Sequence, residues 1–238
     1  MLVRLDKFLA DRGLGTRSEV REILKKSRVR INETVCRDGA VKMDPLQDRI
    51  LLDDCQITYE AFRYYMLNKP AGVITATTDP HCQTVMDLIR EPRSNTLSPV
   101  GRLDKDTVGL LLITDDGSLN HYLLSPRKHV DKTYEVTCAK PFDDTMKQAL
   151  EQGVCLGGGE HAAPASVTLL SENRIHLTIQ EGKFHQVKRM LHAVNNEVIH
   201  LKRIRMGSLV LDDTLAEGEY RKLTAAEIAA LCQGLERS

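Results

Sequence analysis

The sequence predicts an α+β protein in two parts, and three observations carry that reading. Segments with strand character outnumber the crossover helices that a parallel sheet would require. Residues 1–58 form their own helix-helix-strand pattern ahead of a longer, strand-rich region at 62–238. Between them, Asp53 to Phe62 follows the apolar run Ile50-Leu51-Leu52 with interrupting polar residues, as a linker does. A chain of 238 residues is long enough for one small and one medium core.

In the first part, Arg4 to Ala10 places Leu5, Phe8 and Leu9 on one helical face. After the flexible Gly13-Leu14-Gly15, Thr16-Arg17-Ser18-Glu19 is a capping box, a threonine with a glutamate three residues on. It opens a second helix whose apolar stripe is Val20, Ile23 and Leu24. Arg17, Arg21, Lys25 and Arg28 recur four, four and three apart and so share the other side. A charged helix face is ordinarily only solvated. Here the row has only Glu22 beside it and runs into a short strand, Val29-Arg30-Ile31-Asn32.

In the second part, strands are expected at Tyr64 to Leu67, Val73 to Ala76, Leu110 to Ile113, Thr133 to Cys138, Ser166 to Leu170, Arg174 to Ile179 and Ser208 to Leu211. Helices are expected at Thr84 to Arg90, Ser118 to Leu124, Asp143 to Gln152 and Phe184 to Val194, with an amphipathic helix at Thr224 to Gln233. Gly157-Gly158-Gly159 reads as a hairpin tip; no Lys-Ser/Thr follows it, so it is not a phosphate loop. Asp115-Asp116-Gly117 signals a turn. Adjacent carboxylates on a strand point opposite ways, which speaks against a catalytic carboxylate pair there.

The formal net charge is zero, which excludes a strongly basic polymer binder on the total alone, but the distribution is uneven. Residues 1–31 carry nine Lys or Arg against four acids, and residues 183–205 carry six against Glu197. Two basic segments on a neutral chain point to a directed polyanion contact. Arg4, Asp6 and Lys7 stand where a signal peptide needs an apolar run, and no stretch is long and apolar enough to span a membrane, so a cytoplasmic protein is expected. The six cysteines form no Cys-x-x-Cys pair and imply neither a zinc knuckle nor a disulfide framework. His185 and His192 lack a third nearby ligand, so no metal site is expected.

The chemistry concentrates in Gly101-Arg102-Leu103-Asp104-Lys105-Asp106-Thr107-Val108-Gly109, a polar, glycine-bounded loop that enters the apolar strand Leu110 to Ile113. A rigid strand behind a loop can hold one carboxylate in a fixed place. This segment through Gly117 resembles the catalytic-aspartate motif of the RsuA-type pseudouridine synthases. Further resemblances fall in the family's order: Arg63-Tyr64-Tyr65-Met66-Leu67-Asn68-Lys69-Pro70-Ala71-Gly72, Lys132-Thr133-Tyr134-Glu135-Val136, Glu181-Gly182-Lys183-Phe184-His185-Gln186-Val187-Lys188-Arg189-Met190, and Gly218-Glu219-Tyr220-Arg221-Lys222-Leu223-Thr224. Residues 1–58 resemble the alpha-L module, a small RNA-binding domain named after the fourth small-subunit ribosomal protein, whose second helix lays its basic face along phosphates.

The resemblance implies a central, largely antiparallel sheet with the active cleft across it, and isomerisation of uridine to pseudouridine in ribosomal RNA without a metal or organic cofactor. It implies Asp104 as the carboxylate at the ribose C1′, Tyr134 against the target base, and Lys188 as the cation paired with Asp104, with Arg189 the neighbouring alternative. Many relatives carry Arg where this chain has Lys188, and lysine cannot make the bidentate fork. Arg102 is expected to hold the phosphate of the flipped nucleotide and Lys69 to lie near the cleft on the RNA side, while Arg17, Arg21, Lys25 and Arg28 face RNA from the first domain. Ser125-Pro126-Arg127-Lys128-His129, the Met66-to-Pro70 context and the short chain beyond Thr224 resemble the branch that modifies small-subunit 16S RNA at uridine 516. The expected partner is then ribosomal RNA in a partly assembled small subunit, met by a monomer. The alternatives are a large-subunit uridine, or a non-catalytic RNA-binding assembly factor, which would have no use for an intact Asp104, Tyr134 and Lys188.

Overall fold

The computed structural model describes residues 2–57 and 59–235. The expected domain limits at residues 1, 58 and 238 fall outside that set. By backbone contacts the chain forms two compact units, one of residues 1–61 with 90–94 and one of residues 62–89 with 95–238.

The first unit follows its periodicity. Helix α1 spans Leu5–Asp11 and α2 spans Arg17–Lys25. The capping box is formed at Thr16: Glu19 N–H donates to its hydroxyl and the Glu19 carboxylate accepts from Thr16 N–H at 2.6 Å. Leu5, Phe8, Leu9, Val20 and Leu24 pack with Val29, Met43 and Ile50 into one core. The strands are β1 (Val3–Arg4), β2 (Val29–Ile31), β3 (Thr34–Val35), β4 (Lys42–Met43), β5 (Ile50–Leu52) and β6 (Cys55–Ile57). β1 pairs with β4, and a separate four-stranded sheet runs β3-β2-β5-β6. The unit therefore holds more sheet than the expected helix-helix-strand, and part of the expected linker is β6. Asp53 and Asp54 both take positive φ. That left-handed pair makes the tight turn of a β5–β6 hairpin, which polar composition alone reads as a linker.

The second unit is built on a sheet of nine strands. They are β7 (Tyr64–Lys69), β8 (Ser98–Pro99), β9 (Val108–Thr114), β10 (Lys132–Cys138), β13 (Ser166–Ser171), β14 (Arg174–Ile179), β15 (Val198–Met206), β16 (Leu209–Val210) and β17 (Tyr220–Lys222). Their order is β13-β14-β10-β15-β9-β7-β17, with β16 on β15 and β8 on β9. A separate hairpin pairs β11 (Cys155–Gly157) with β12 (Glu160–His161), its tip the expected Gly157-Gly158-Gly159. The α+β class and the largely antiparallel sheet are as expected; among the described residues β9 and β15 are the one parallel pair of strands.

Strand β9 is buried along its whole length. Leu111 and Ile113 join the core on one face of the sheet, with Tyr65, Val136 and Ile175. Leu110 and Leu112 join the core on the other, with Met66, Leu119 and Leu231. A strand sandwiched by two layers needs a continuous apolar run instead of an alternating one. Helices α3 (Gly117–Leu124), α4 (Asp144–Gln152), α5 (Gln186–Ala193) and α6 (Ala225–Leu231) follow the predicted stripes. Asp116, Asp143 and Thr224 cap α3, α4 and α6 with their side chains. Among the described residues no helix is long and apolar enough to cross a membrane.

Two expectations need correction. Val73 to Ala76 is not a strand; only Ile74 makes a single bridge, to Thr84. The segment instead bonds sideways, Thr75 Oγ1 donating to Leu103 O at 2.8 Å and accepting from Leu103 N–H at 3.1 Å. The helix expected at Thr84 to Arg90 is one 3-10 turn, Val85–Leu88. Asp87 caps Thr84 N–H at 2.7 Å at its start, and Ile89 turns extended at its end.

Candidate active site

The loop of residues 101–107 is fixed from behind before it presents anything to solvent. Lys69, the last residue of β7, is fully buried, and its ammonium donates to the carbonyls of Thr107 at 2.9 Å, Pro70 at 3.0 Å and Lys105 at 3.3 Å. Gly72 N–H donates to Lys105 O at 2.8 Å, and Thr75 ties Leu103. The turn closes with Thr107 N–H on Asp104 O at 3.1 Å. Burial pushes the Lys69 ammonium down to about 8, the Asp106 and Asp104 charges pulling the other way. The expectation that Lys69 meets RNA is corrected: with no exposed surface, it is a brace under the loop.

Asp104 stands at the mouth of this turn with its side chain 30 % exposed. Across from it, α5 begins. His185, in the left-handed region at φ 47°, precedes the helix and brings Nε2 within 3.8 Å of Asp104 Oδ1. One turn on, Lys188 Nζ lies 3.4 Å from Asp104 Oδ2. The same ammonium bonds Asp106 at 2.6 and 2.8 Å, and that bond holds the Asp106 carboxyl below the usual range. Of the two candidates for the partner of Asp104, the geometry favours Lys188. Arg189 faces away, donating to Leu156 O at 3.1 Å and pairing with Glu160 at 2.7 Å, so it ties α5 to the β11–β12 hairpin.

These groups edge a cleft of about 760 Å³ lined by the Asp104 loop, Ile74, Leu124, Tyr134, the Gln180–His185 segment and Arg203. A smaller recess of about 70 Å³ shares Asp104, Tyr134 and His185 and adds Lys188 and Leu201. Tyr134, buried on β10, faces Arg203 across a register shift in the β10–β15 ladder. Arg102 is exposed at the rim of both. The turn before α5 is shaped by Gln186, which accepts from Lys183 N–H and donates to Glu181 at 2.9 Å each.

Sequence reasoning missed Asp106, His185, Lys132 and Arg203. The basic segment 183–205 reads as one patch, yet strand alternation on β15 turns Arg203 inward to 2 % exposure. Its Nε donates to Leu110 O at 2.8 Å, while Nη2 has no hydrogen-bond partner among the described residues. Lys132, also buried, donates to Val130 O and Gln180 O. Desolvation lowers its pKa and the nearby Arg203 charge lowers it further. Two inward cations therefore underlie Tyr134 at the cleft floor. The only sequence signal for them is placement, since both positions share the face of Tyr134 in the ladder.

Arg17, Arg21 and Lys25 are exposed on α2 as expected, but the helix ends at Lys25 and Ser27 turns at φ 60°, so Arg28 lies beyond the helix, and the row is not uniformly available. Arg28 pairs with Asp53, Lys25 with Glu22 at 2.7 Å, and Arg21 lies 3.8 Å from the buried Asp6. Among the described residues no cluster of three His, Cys, Asp or Glu side chains suits a metal ion.

Asp104 beside Lys188, at the lip of a cleft with Tyr134 in its wall, brings a carboxylate, a cation and a phenol together. Comparison with known proteins gives the family. Residues 63–193 match the RNA pseudouridylate synthase family, and residues 3–46 match the S4 domain. The chain belongs to the RNA pseudouridylate synthase family and carries an N-terminal S4 domain. It is 45 % identical to the uncharacterized RNA pseudouridine synthase YtzG of Bacillus subtilis, covering 96 % of this chain and 98 % of that one. It is 41 % identical to ribosomal small subunit pseudouridine synthase A of Haemophilus influenzae, covering 96 % and 99 %. A pseudouridylate synthase crystal structure superposes with TM-score 0.69 at 40 % identity, covering 96 % and 99 %.

Proposed function

We propose that this chain isomerises a uridine of ribosomal RNA to pseudouridine, and that the target is uridine 516 of the small-subunit 16S RNA. The observation that carries the chemistry is Asp104, held 3.4 Å from Lys188 at the edge of a cleft walled by Tyr134. The reaction breaks the bond from ribose C1′ to uracil N1 and forms one from C1′ to C5, exchanging no atoms with another substrate. Asp104 either attacks C1′ or takes the C2′ proton; both roles need an ionised carboxylate, and Lys188 favours that form. A cleft of about 760 Å³ leaves room for the freed base to turn while Tyr134 lies against it. The proton then leaves C5, and Tyr134 is the side chain we assign to that late transfer. To Arg102, exposed at the rim, we assign contact with an RNA phosphate. The small-subunit target is supported by near full-length similarity to proteins named ribosomal small subunit pseudouridine synthase A.

The test is carbodiimide-blocked reverse transcription of ribosomal RNA from cells with and without this protein. A stop that disappears at uridine 516 on deletion supports the reading. A stop lost instead in large-subunit RNA moves the target, and unchanged stops throughout refute the activity on ribosomal RNA.

A further inference from the structure

Phe184 is an anomaly for a residue so close to the active cleft. It is 69 % exposed, and so contributes little to any core. It is nevertheless held firmly: its carbonyl accepts from Arg189 Nη1 at 3.2 Å, and the neighbouring Lys183–Gln186 turn is closed by the Gln186 side chain. One face of its ring is occupied by His185, the two rings stacking with centroids 3.8 Å apart at 19°. His185 itself sits in the left-handed backbone region, uncommon outside glycine, at the start of α5. That same His185 lies 3.8 Å from Asp104, and both rings line the cleft.

We propose that Phe184 is a stacking platform for the RNA base next to the nucleotide that enters the Asp104 cleft, with His185 as its backing ring. The inference rests on the activity proposed above and adds a residue that positions the RNA. Taking a uridine out of its stack leaves the neighbouring base with one face bare, at a cost that a protein ring can offset. An aromatic face suits any base, because every base has a flat π-surface. The occupant is identified by what surrounds the ring: Arg102 and Lys105, both exposed, line the same cleft, while Lys183 is already paired with Glu181 at 2.8 Å, so the partner that brings a flat apolar face also brings negative charge. An RNA strand supplies both together.

The experiment uses the full chain and a small-subunit RNA hairpin containing the uridine that the wild-type protein converts. Binding is read by fluorescence anisotropy and turnover by pseudouridine formation, for wild type, Phe184→Ala and Phe184→Trp, on intact hairpin and on hairpins made abasic at one or other neighbour of the target. Phe184→Ala is expected to weaken binding roughly tenfold to a hundredfold with an unchanged melting temperature, and Phe184→Trp to stay within about threefold of wild type. On the hairpin lacking the stacked base, wild type drops to the level of Phe184→Ala, and the substitution then adds no further loss. An equal loss from Phe184→Ala on intact and both abasic hairpins, or no loss at all, overturns the inference and leaves the ring to some other partner. If wild type forms no pseudouridine in any ribosomal RNA, the underlying activity is wrong, a failure the turnover arm reports separately from the binding arm.

Discussion

The Lys188 ammonium is shared unequally between two carboxylates, 2.6 Å from Asp106 and 3.4 Å from Asp104. The nearer carboxylate is 71 % exposed and the farther one 30 % exposed. An exposed pair is screened by water and contributes little, whereas the pair inside the cleft gains strength when RNA excludes solvent. Asp106 is thus the closer but weaker partner of Lys188, and Asp104 the one whose pairing counts in the cleft. Lys188→Met is expected to lower kcat/KM by about a hundredfold or more, while Asp106→Asn stays within roughly fivefold of wild type. Lys188→Arg should retain substantial activity, since a guanidinium can reach both carboxylates. Single-turnover assays across the three variants check the ranking, and a dead Asp106→Asn enzyme would contradict it.

Asp104→Asn keeps the shape of the side chain but removes the carboxylate that we propose as nucleophile or base. A loss of at least about a thousandfold in turnover is expected, with RNA affinity within a few-fold of wild type. Turnover within tenfold of wild type would show that another group does the chemistry.

Lys69 carries a pH signature. Its pKa is depressed in the folded protein to about 8 from the ordinary 10.5. Between those values the unfolded chain binds the proton that the folded chain has released, so stability gains from Lys69 as pH rises from about 8 towards 10.5. Below pH 8 the cost of burying the charge is carried in full. Lys69→Met should lack this rise, and should also lower turnover, because the carbonyls of Lys105 and Thr107 lose their brace. Urea denaturation of both proteins at pH 7.5 and 9.5 measures the difference in slope; parallel changes in the two proteins would exclude Lys69 as the source.

In the S4 domain, reversing Arg17 and Arg21 to glutamate is expected to weaken RNA binding and flatten its salt dependence. For every phosphate no longer neutralised, the slope of log affinity against log salt falls by roughly 0.7–0.9. Arg28→Glu is expected to do less to RNA and more to stability, because Arg28 is already committed to Asp53. Titrations at several salt concentrations separate the two effects.

The sequence is legible where periodicity or capping chemistry acts locally. The apolar run of β9, the Thr16 box and the stripe of α2 each lie within one element and fold as their residues dictate. The fold class also follows, because strand count outweighs helix count. What stays hidden needs distant partners. Lys188 meets Asp106 across 82 positions, and nothing near either residue encodes that. Lys69 resembles a turn cation in the sequence because two of the three carbonyls that receive its ammonium, those of Lys105 and Thr107, come from a loop that only the β7–β9 pairing brings near. Val73 to Ala76 has strand propensity, but its Thr75 hydroxyl competes for the loop at Leu103, and that tertiary bond decides its path.

The parallel joint between β9 and β15 has a geometric consequence. Two strands that run side by side in the same direction begin at the same end, so whatever precedes each of them is delivered to a common place. The loop carrying Asp104 leads into β9 and the helix carrying Lys188 leads towards β15, and the ladder between them is only Lys202 with Val108 and Arg203 with Gly109. A side-chain carbon added at Gly109 would stand 2.4 Å from the Arg203 carbonyl, at a φ of +98°. That joint closes only because Gly109 has no side chain. Gly109→Ala must push β9 and β15 apart at the point where the Asp104 loop enters the sheet, without altering an atom of the carboxylate or the ammonium.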